Sequence, residues 1–196
     1  MLTRYTIALL AVLPAAVSAQ ADTPRTFYVG ADLGRSDAKR WCLGAGSASC
    51  DHTSAAVKIF GGYQLDETFA VEIGYVNLGK FKARFPGGDT DEAKVSALEA
   101  SIVARWPLAP RFSLFGRFGG YYGTVKETSF GESFEDSKGD LTFGVGVRYD
   151  LTRKVAVRAQ WQRYLDMGGP NVALGAGTGD LSSVDVVGVG FFWRFQ

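Results

Sequence analysis

Nine ionisable residues in this chain fall inside alternating runs: Asp32, Lys58, Glu72, Glu99, Arg105, Arg117, Arg148, Arg158 and Arg194. Glycine and other small residues stand two positions away from most of them. In an extended strand, residues two apart share a face. Acids and bases collected on one enclosed face neutralise one another. Six bases face three acids, so Gln160, Tyr28, Tyr121, backbone or water must help, or some bases must sit near the rims. Catalysis would need more, a base beside a nucleophile with a third group to orient it. The chain has one histidine, His52, and no partner group is placed for it by spacing. His52 therefore reads as a loop residue, and no catalytic residue is assigned.

Other candidates are weaker. Cys42 and Cys50 stand as C-x7-C, which is neither a zinc spacing nor a C-x-x-C redox pair. In an exported chain that pair is expected to be a disulfide closing a small loop. Gly175-Ala176-Gly177-Thr178-Gly179 lacks the Lys-Ser/Thr of a phosphate loop. Glu132, Glu135, Asp136 and Asp140 lack a calcium-ligand spacing and read as a solvated acidic stretch. No metal and no cofactor are expected.

The elements that would carry these residues are strands. The last ten residues, 187–196, put Val187, Val189, Phe191, Trp193 and Phe195 on one face. Gly188, Gly190, Phe192 and Arg194 take the other. The same alternation recurs at 27–35, 55–65, 68–78, 95–106, 111–125, 141–149 and 155–164, making eight strands. The connections alternate in length. Residues 36–54, 79–94, 126–140 and 166–180 read as long polar loops, and 66–67, 107–110 and 150–153 as tight turns. All long loops then fall at one end. The continuous apolar faces carry no charge through their middles, where a lysine or arginine in hydrocarbon would cost about 2–4 kcal/mol. A soluble ligand-carrying barrel would be the reverse, apolar inside. The expected fold is therefore all-β, an eight-stranded antiparallel up-and-down transmembrane β-barrel. Lumen-facing Gly144→Ser should be mild, whereas lipid-facing Val145→Arg should impair insertion.

Targeting agrees. Residues 1–21 read as a signal peptide, with Arg4 before the apolar run 6–16 and cleavage after Ala19 or Ala21. Residues 22–196 form the barrel domain. No later run is long and apolar enough for a transmembrane helix. A formal net charge of +1 gives no footprint for nucleic acid. Gly 25, Pro 6 and 13% aromatic residues suit tightly paired strands.

Read together, these segments resemble the small outer-membrane β-barrels of the OmpA-like transmembrane type. The resemblance covers nearly all of the mature chain. It is clearest in residues 27–34, 60–64 and 71–75, and continues in 106–108, 117–120 and 155–158. It implies a Gram-negative outer membrane, and neighbours that are outer-membrane lipid and lipopolysaccharide. It also implies barrel-assembly machinery that reads Phe191, Trp193 and Phe195. It implies that Glu72 and Arg158 belong to a charged cluster plugging the lumen. Val103 stands where the family can place a lysine and Arg148 where it can place an acid, so an alternate, path-opening ion pairing lacks those residues. The peptidoglycan-binding domain of the larger family members is not expected here. A non-enzymatic envelope or surface-contact role through the long loops is expected first, with a possible surface ligand. A narrow pore comes second and a lipid-modifying enzyme third.

Overall fold

The structure is a computed structural model that describes residues 25–38, 49–84, 90–129, 132–167 and 183–195. The strands are β1 (Thr26–Asp37), β2 (Ser49–Asp51), β3 (Thr53–Gln64), β4 (Phe69–Arg84) and β5 (Thr90–Ala109). They continue with β6 (Phe112–Ser129), β7 (Glu132–Asp150), β8 (Val155–Leu165) and β9 (Ser183–Arg194). Every pairing is antiparallel, and β9 returns to β1, so the sheet closes on itself. The three-residue β2 pairs with the far end of β4 and prolongs the line of β3 beyond His52. The result is an eight-stranded barrel.

The stagger can be walked through the register. From Arg194 the partners run Tyr28, Gly62, Glu72, Ser101, Gly119, Thr142, Tyr164 and then Val184. One circuit thus returns to β9 ten residues away, at 184 instead of 194. That stagger tilts the strands by roughly 35–45° and leaves an interior just wide enough for side chains to fill.

The two faces separate cleanly. Val29, Leu33, Ile59, Ile73, Leu98, Ile102, Phe118, Val145, Val187 and Val189 are exposed on the outside. Trp106, Tyr149, Trp193 and Phe195 ring the turn end, and Tyr75 and Tyr122 lie towards the other. Apolar outside and polar inside is the arrangement that hydrocarbon requires, since closure also satisfies every ladder hydrogen bond.

Two expected loops are strand throughout their described residues. Residues 79–84 and 90–94 extend β4 and β5, and residues 126–129 and 132–140 extend β6 and β7. Alternation continues there with its polarity reversed. Leu78, Phe81, Ala83, Ala93, Val95 and Val125 point inward, while Lys80, Lys82, Lys94 and Lys126 point outward. A β-bulge between Asn77 and Gly79 shifts the parity. Gly79 has φ +87°, a left-handed conformation that glycine adopts without a Cβ penalty. The Asn77 side chain accepts its N–H at 2.8 Å, and Ser54 Oγ accepts the Lys80 N–H at 2.9 Å. The turn expected at 150–153 also starts later, because Asp150 closes β7. Residues 1–24, Cys42, the glycine run 175–179 and Gln196 lie outside the described residues.

Candidate functional site

The lumen is filled in layers. Nearest the tight turns, Tyr28, Phe60, Ala70, Val103, Phe115, Ala156 and Phe192 pack into an apolar cluster. At the opposite end a larger cluster includes Val76, Leu78, Phe81, Val95, Tyr121, Val125, Tyr164, Met167 and Val184. Between the two lies a charged layer, and low dielectric on both sides strengthens each of its interactions.

Six ionisable residues make this middle layer, three acids and three bases: Asp32, Glu72, Glu99, Lys58, Arg117 and Arg158. All are 3–6% exposed. Arg158 grips Asp32 through two parallel bonds, Nε to Oδ1 at 2.9 Å and Nη2 to Oδ2 at 2.7 Å. Its Nη1 reaches Glu72 Oε1 at 2.8 Å. Glu72 takes Arg117 on its other oxygen, and Tyr28 donates to Oε1 at 3.0 Å. Glu99 accepts from Lys58 and lies 3.6 Å from Arg117 Nη1. Bidentate and multiply bonded carboxylates of this kind are the strong form of the interaction.

The fold explains why these groups meet. Asp32, Gly190 and Arg158 lie in one row across β1, β9 and β8. A Cβ on Gly190 would overlap Asp32 Oδ1, so glycine opens the space through which the guanidinium and carboxylate face each other. Glu72 and Arg158 come from β4 and β8, on opposite walls of the barrel. The Arg158 guanidinium also lies 3.9 Å over the Phe60 ring, a cation–π contact that seats it on the aromatic layer below.

Arg105, Arg148 and Arg194 are elsewhere. They gather at the turn-side rim around Asp150, with Arg148 Nη2 at 2.9 Å, Arg194 Nη2 at 2.5 Å and Arg105 Nη1 at 4.0 Å. Arg105 also donates to the Glu67 carbonyl at 2.9 and 3.1 Å. Six bases against three acids is thus resolved into three on three in the middle and three on one at the rim.

Sequence reasoning left Asp150, Gln162 and Tyr164 out of the charge network, although alternation puts Gln162 on the lumen face. Gln162 donates to Glu99 and Thr142 and accepts from Arg117, while Tyr164 donates to Glu99. Both lie two and four residues beyond Gln160 on one strand, and Asp150 lies two beyond Arg148. Parity alone would have placed all three inside. Gln160 donates to Asp32 at 3.0 Å, but Tyr121 donates to the Leu165 carbonyl in the upper layer and takes no part in the charged one.

Gly144→Ser is the expectation that changes, while the side chains of His52 and Glu135 are found exposed at the upper end. Gly144 is not a tolerant lumen position. A Cβ there would lie 2.6 Å from the Trp161 carbonyl oxygen and 3.2 Å from Arg117 Cγ, so Gly144→Ser would press on backbone. His52 lies at the upper rim with Nε2 3.9 Å from Asp37 Oδ1. Glu135 of the acidic stretch faces Lys126 at 3.0 Å. At the C-terminus, Phe191 and Trp193 face outward, and Phe195 N–H donates to the Phe27 carbonyl at 2.9 Å.

Comparison with known proteins agrees with this architecture. A family described as the outer membrane protein beta-barrel domain matches residues 6–195. Outer membrane protein A of Shigella flexneri is 26% identical over 164 residues, covering 80% of this chain and 46% of that protein. The chain spans about half the length of such curated relatives. Among solved structures, Neisserial surface protein A superposes with a TM-score of 0.62 at 16% identity, covering 86% of this chain and 97% of that one. Ail, the attachment invasion locus protein of Yersinia pestis, gives 0.52 at 18%, covering 87% and 97%.

Proposed function

The chain belongs to the outer membrane protein β-barrel domain family, and from that membership we propose that it is a non-enzymatic scaffold of the outer membrane with a plugged lumen. It resides in the outer membrane, among outer-membrane lipid. One observation supports the plug above the rest. The three-on-three charged layer crosses the lumen between two apolar clusters. Cavities of about 20 Å³ adjoin it on either side, each with room for about one water. Bulky side chains, held by ion pairs from opposite walls, leave no passage for a solute. Its roles would be envelope integrity and contact through the surface loops.

Purified protein in planar bilayers should show little or no steady conductance. A large, stable, anion-selective conductance from the unmodified protein would reject the plug and promote the narrow pore.

Three subsidiary readings belong with this one. Residues 1–21 are proposed as the export signal and 22–196 as the barrel. Phe191, Trp193 and Phe195 are proposed as the surface read by the assembly machinery. Cys42 and Cys50 are proposed as a disulfide in the first extracellular loop. That short loop makes the bond worth about 2–3 kcal/mol at most in the chain-entropy view, and the barrel should form without it. Thiol labelling of intact cells should modify neither cysteine until reductant is added; labelling of both without reductant would exclude the bond.

A further inference from the structure

We propose that the outward lysines of the β4–β5–β6 extension, Lys80, Lys94 and Lys126, form a binding row for the phosphate groups of the outer-leaflet glycolipid. The proposal rests on the outer-membrane reading and names a partner for one face of it.

The register puts the row together. Lys80 pairs directly with Lys94, and Lys94 directly with Lys126. All three are more than half exposed, at 53%, 54% and 61% of the side chain. Like charges directly opposite each other across strands are destabilising. Their acidic partners only partly offset that. Glu92 serves Lys80 at 3.3 Å, Lys82 at 3.0 Å and Lys94 at 3.6 Å at once, and Glu135 serves Lys126. With Lys82 and the outward Arg84, five bases on this patch face three acids among the described residues, Glu92, Glu135 and Asp51, the last of them opposite Lys82. Lys82, and then Lys80, hold the Glu92 carboxyl below its ordinary range, so it stays ionised and already committed.

Height in the membrane selects the ligand. The outward row Tyr75–Leu98–Tyr122 marks the upper part of the apolar band. On β5, Lys94 lies four residues beyond Leu98, about 13 Å along the strand at roughly 3.3 Å per residue. With the strands tilted, the row climbs away from the band as it passes from β4 to β6. That is headgroup depth, where long lysine stems lie along the wall and their ammonium groups reach polar ligands. On the other side of the barrel, the outward Arg35 donates to Thr53 Oγ1 at 3.0 Å and stands across from Ala55 and Val187, with no base opposite it in either pairing. There the outward Arg163 is closed by Asp185 at 2.6 and 2.7 Å. A row of lysines whose Cβ atoms stand about 4.5–5.5 Å apart suits several phosphate oxygens better than one carboxylate.

The test uses full-length protein in nanodiscs doped with bisphosphorylated or with dephosphorylated lipid A, alongside free inorganic phosphate. The unmodified protein should prefer the phosphorylated lipid. Replacing Lys80, Lys94 and Lys126 together by glutamine should weaken that binding by about tenfold or more. Binding of the dephosphorylated lipid should not change, and a periplasmic-turn control, Lys154→Gln, should behave as the unmodified protein does. Glu92→Gln should tighten binding, because it removes the competing carboxylate. Free phosphate competing at equal concentration would make the site one for the ion and overturn the lipid assignment. Equal binding of both lipids, or a triple variant that binds as the parent does, would overturn the row itself. A heat-modifiable gel shift on each sample reads barrel integrity separately, so a folding failure is not mistaken for lost binding.

Discussion

Glu72→Ala should cost the barrel about 3–5 kcal/mol, because it removes the carboxylate shared by two buried guanidiniums and leaves their charge under-compensated. Glu72 is the acid on which both guanidiniums converge. Arg158 keeps Asp32, but Arg117 is left with the neutral Gln162 oxygen at 3.0 Å and with Glu99 at 3.6 Å, through an oxygen already held by Lys58. The measurement is a urea titration in detergent or liposomes, followed by the gel shift between folded and unfolded forms. Arg158→Ala and the double variant complete a cycle. The double should lose less than the two singles summed, since each single leaves the other charge behind. An unchanged midpoint for Glu72→Ala would mean that the charged layer does not hold the fold.

Val145→Arg should be the most damaging change on the outer wall. Val145 is exposed near the middle of the outward apolar run of β7, between Leu141 and Tyr149. A guanidinium there enters hydrocarbon, at roughly 2–4 kcal/mol near the midplane. Ser101→Ala is the matched lumen change. Its hydroxyl is buried with no hydrogen-bond partner among the described residues, so removing it should leave the barrel as stable as before or more stable, by relieving the burial of an unpaired group. Folding yield into liposomes, read on the same gel, compares the two. Equal losses would mean that the inside and outside faces are interchanged.

The sequence made the membrane-spanning part legible because two signals reinforce each other there. From Phe27 to Leu33, or from Leu141 to Tyr149, parity and polarity agree, apolar out and small or charged in. Beyond Asn77 both signals fail together. The bulge at Gly79 flips parity, so Phe81 counts as outward by alternation and inward in the structure. Above the band the environment also reverses. Water lies outside and a packed apolar cluster inside, so Lys80, Lys82, Lys94 and Lys126 read as loop polarity. The ion pairing was only partly legible for a different reason. Period-two spacing says which residues share the lumen but not how high each sits. Height depends on the ten-residue stagger, a property of pairing between strands. Without it, Arg105, Arg148 and Arg194 cannot be told from Arg117 and Arg158.

The opposite-wall pairing of Glu72 with Arg158 also constrains how the chain can enter a bilayer. In an open sheet, β4 and β8 would stand several strands apart, and the carboxylate and guanidinium that meet at 2.8 Å could not touch. An open sheet lying in hydrocarbon would then present one face of unpaired ions to lipid, where each is costly. Threading strands one by one, and curling them afterwards, passes through that state. Insertion and closure must therefore advance together, with the ionised face kept in water or against protein until β9 zips onto β1.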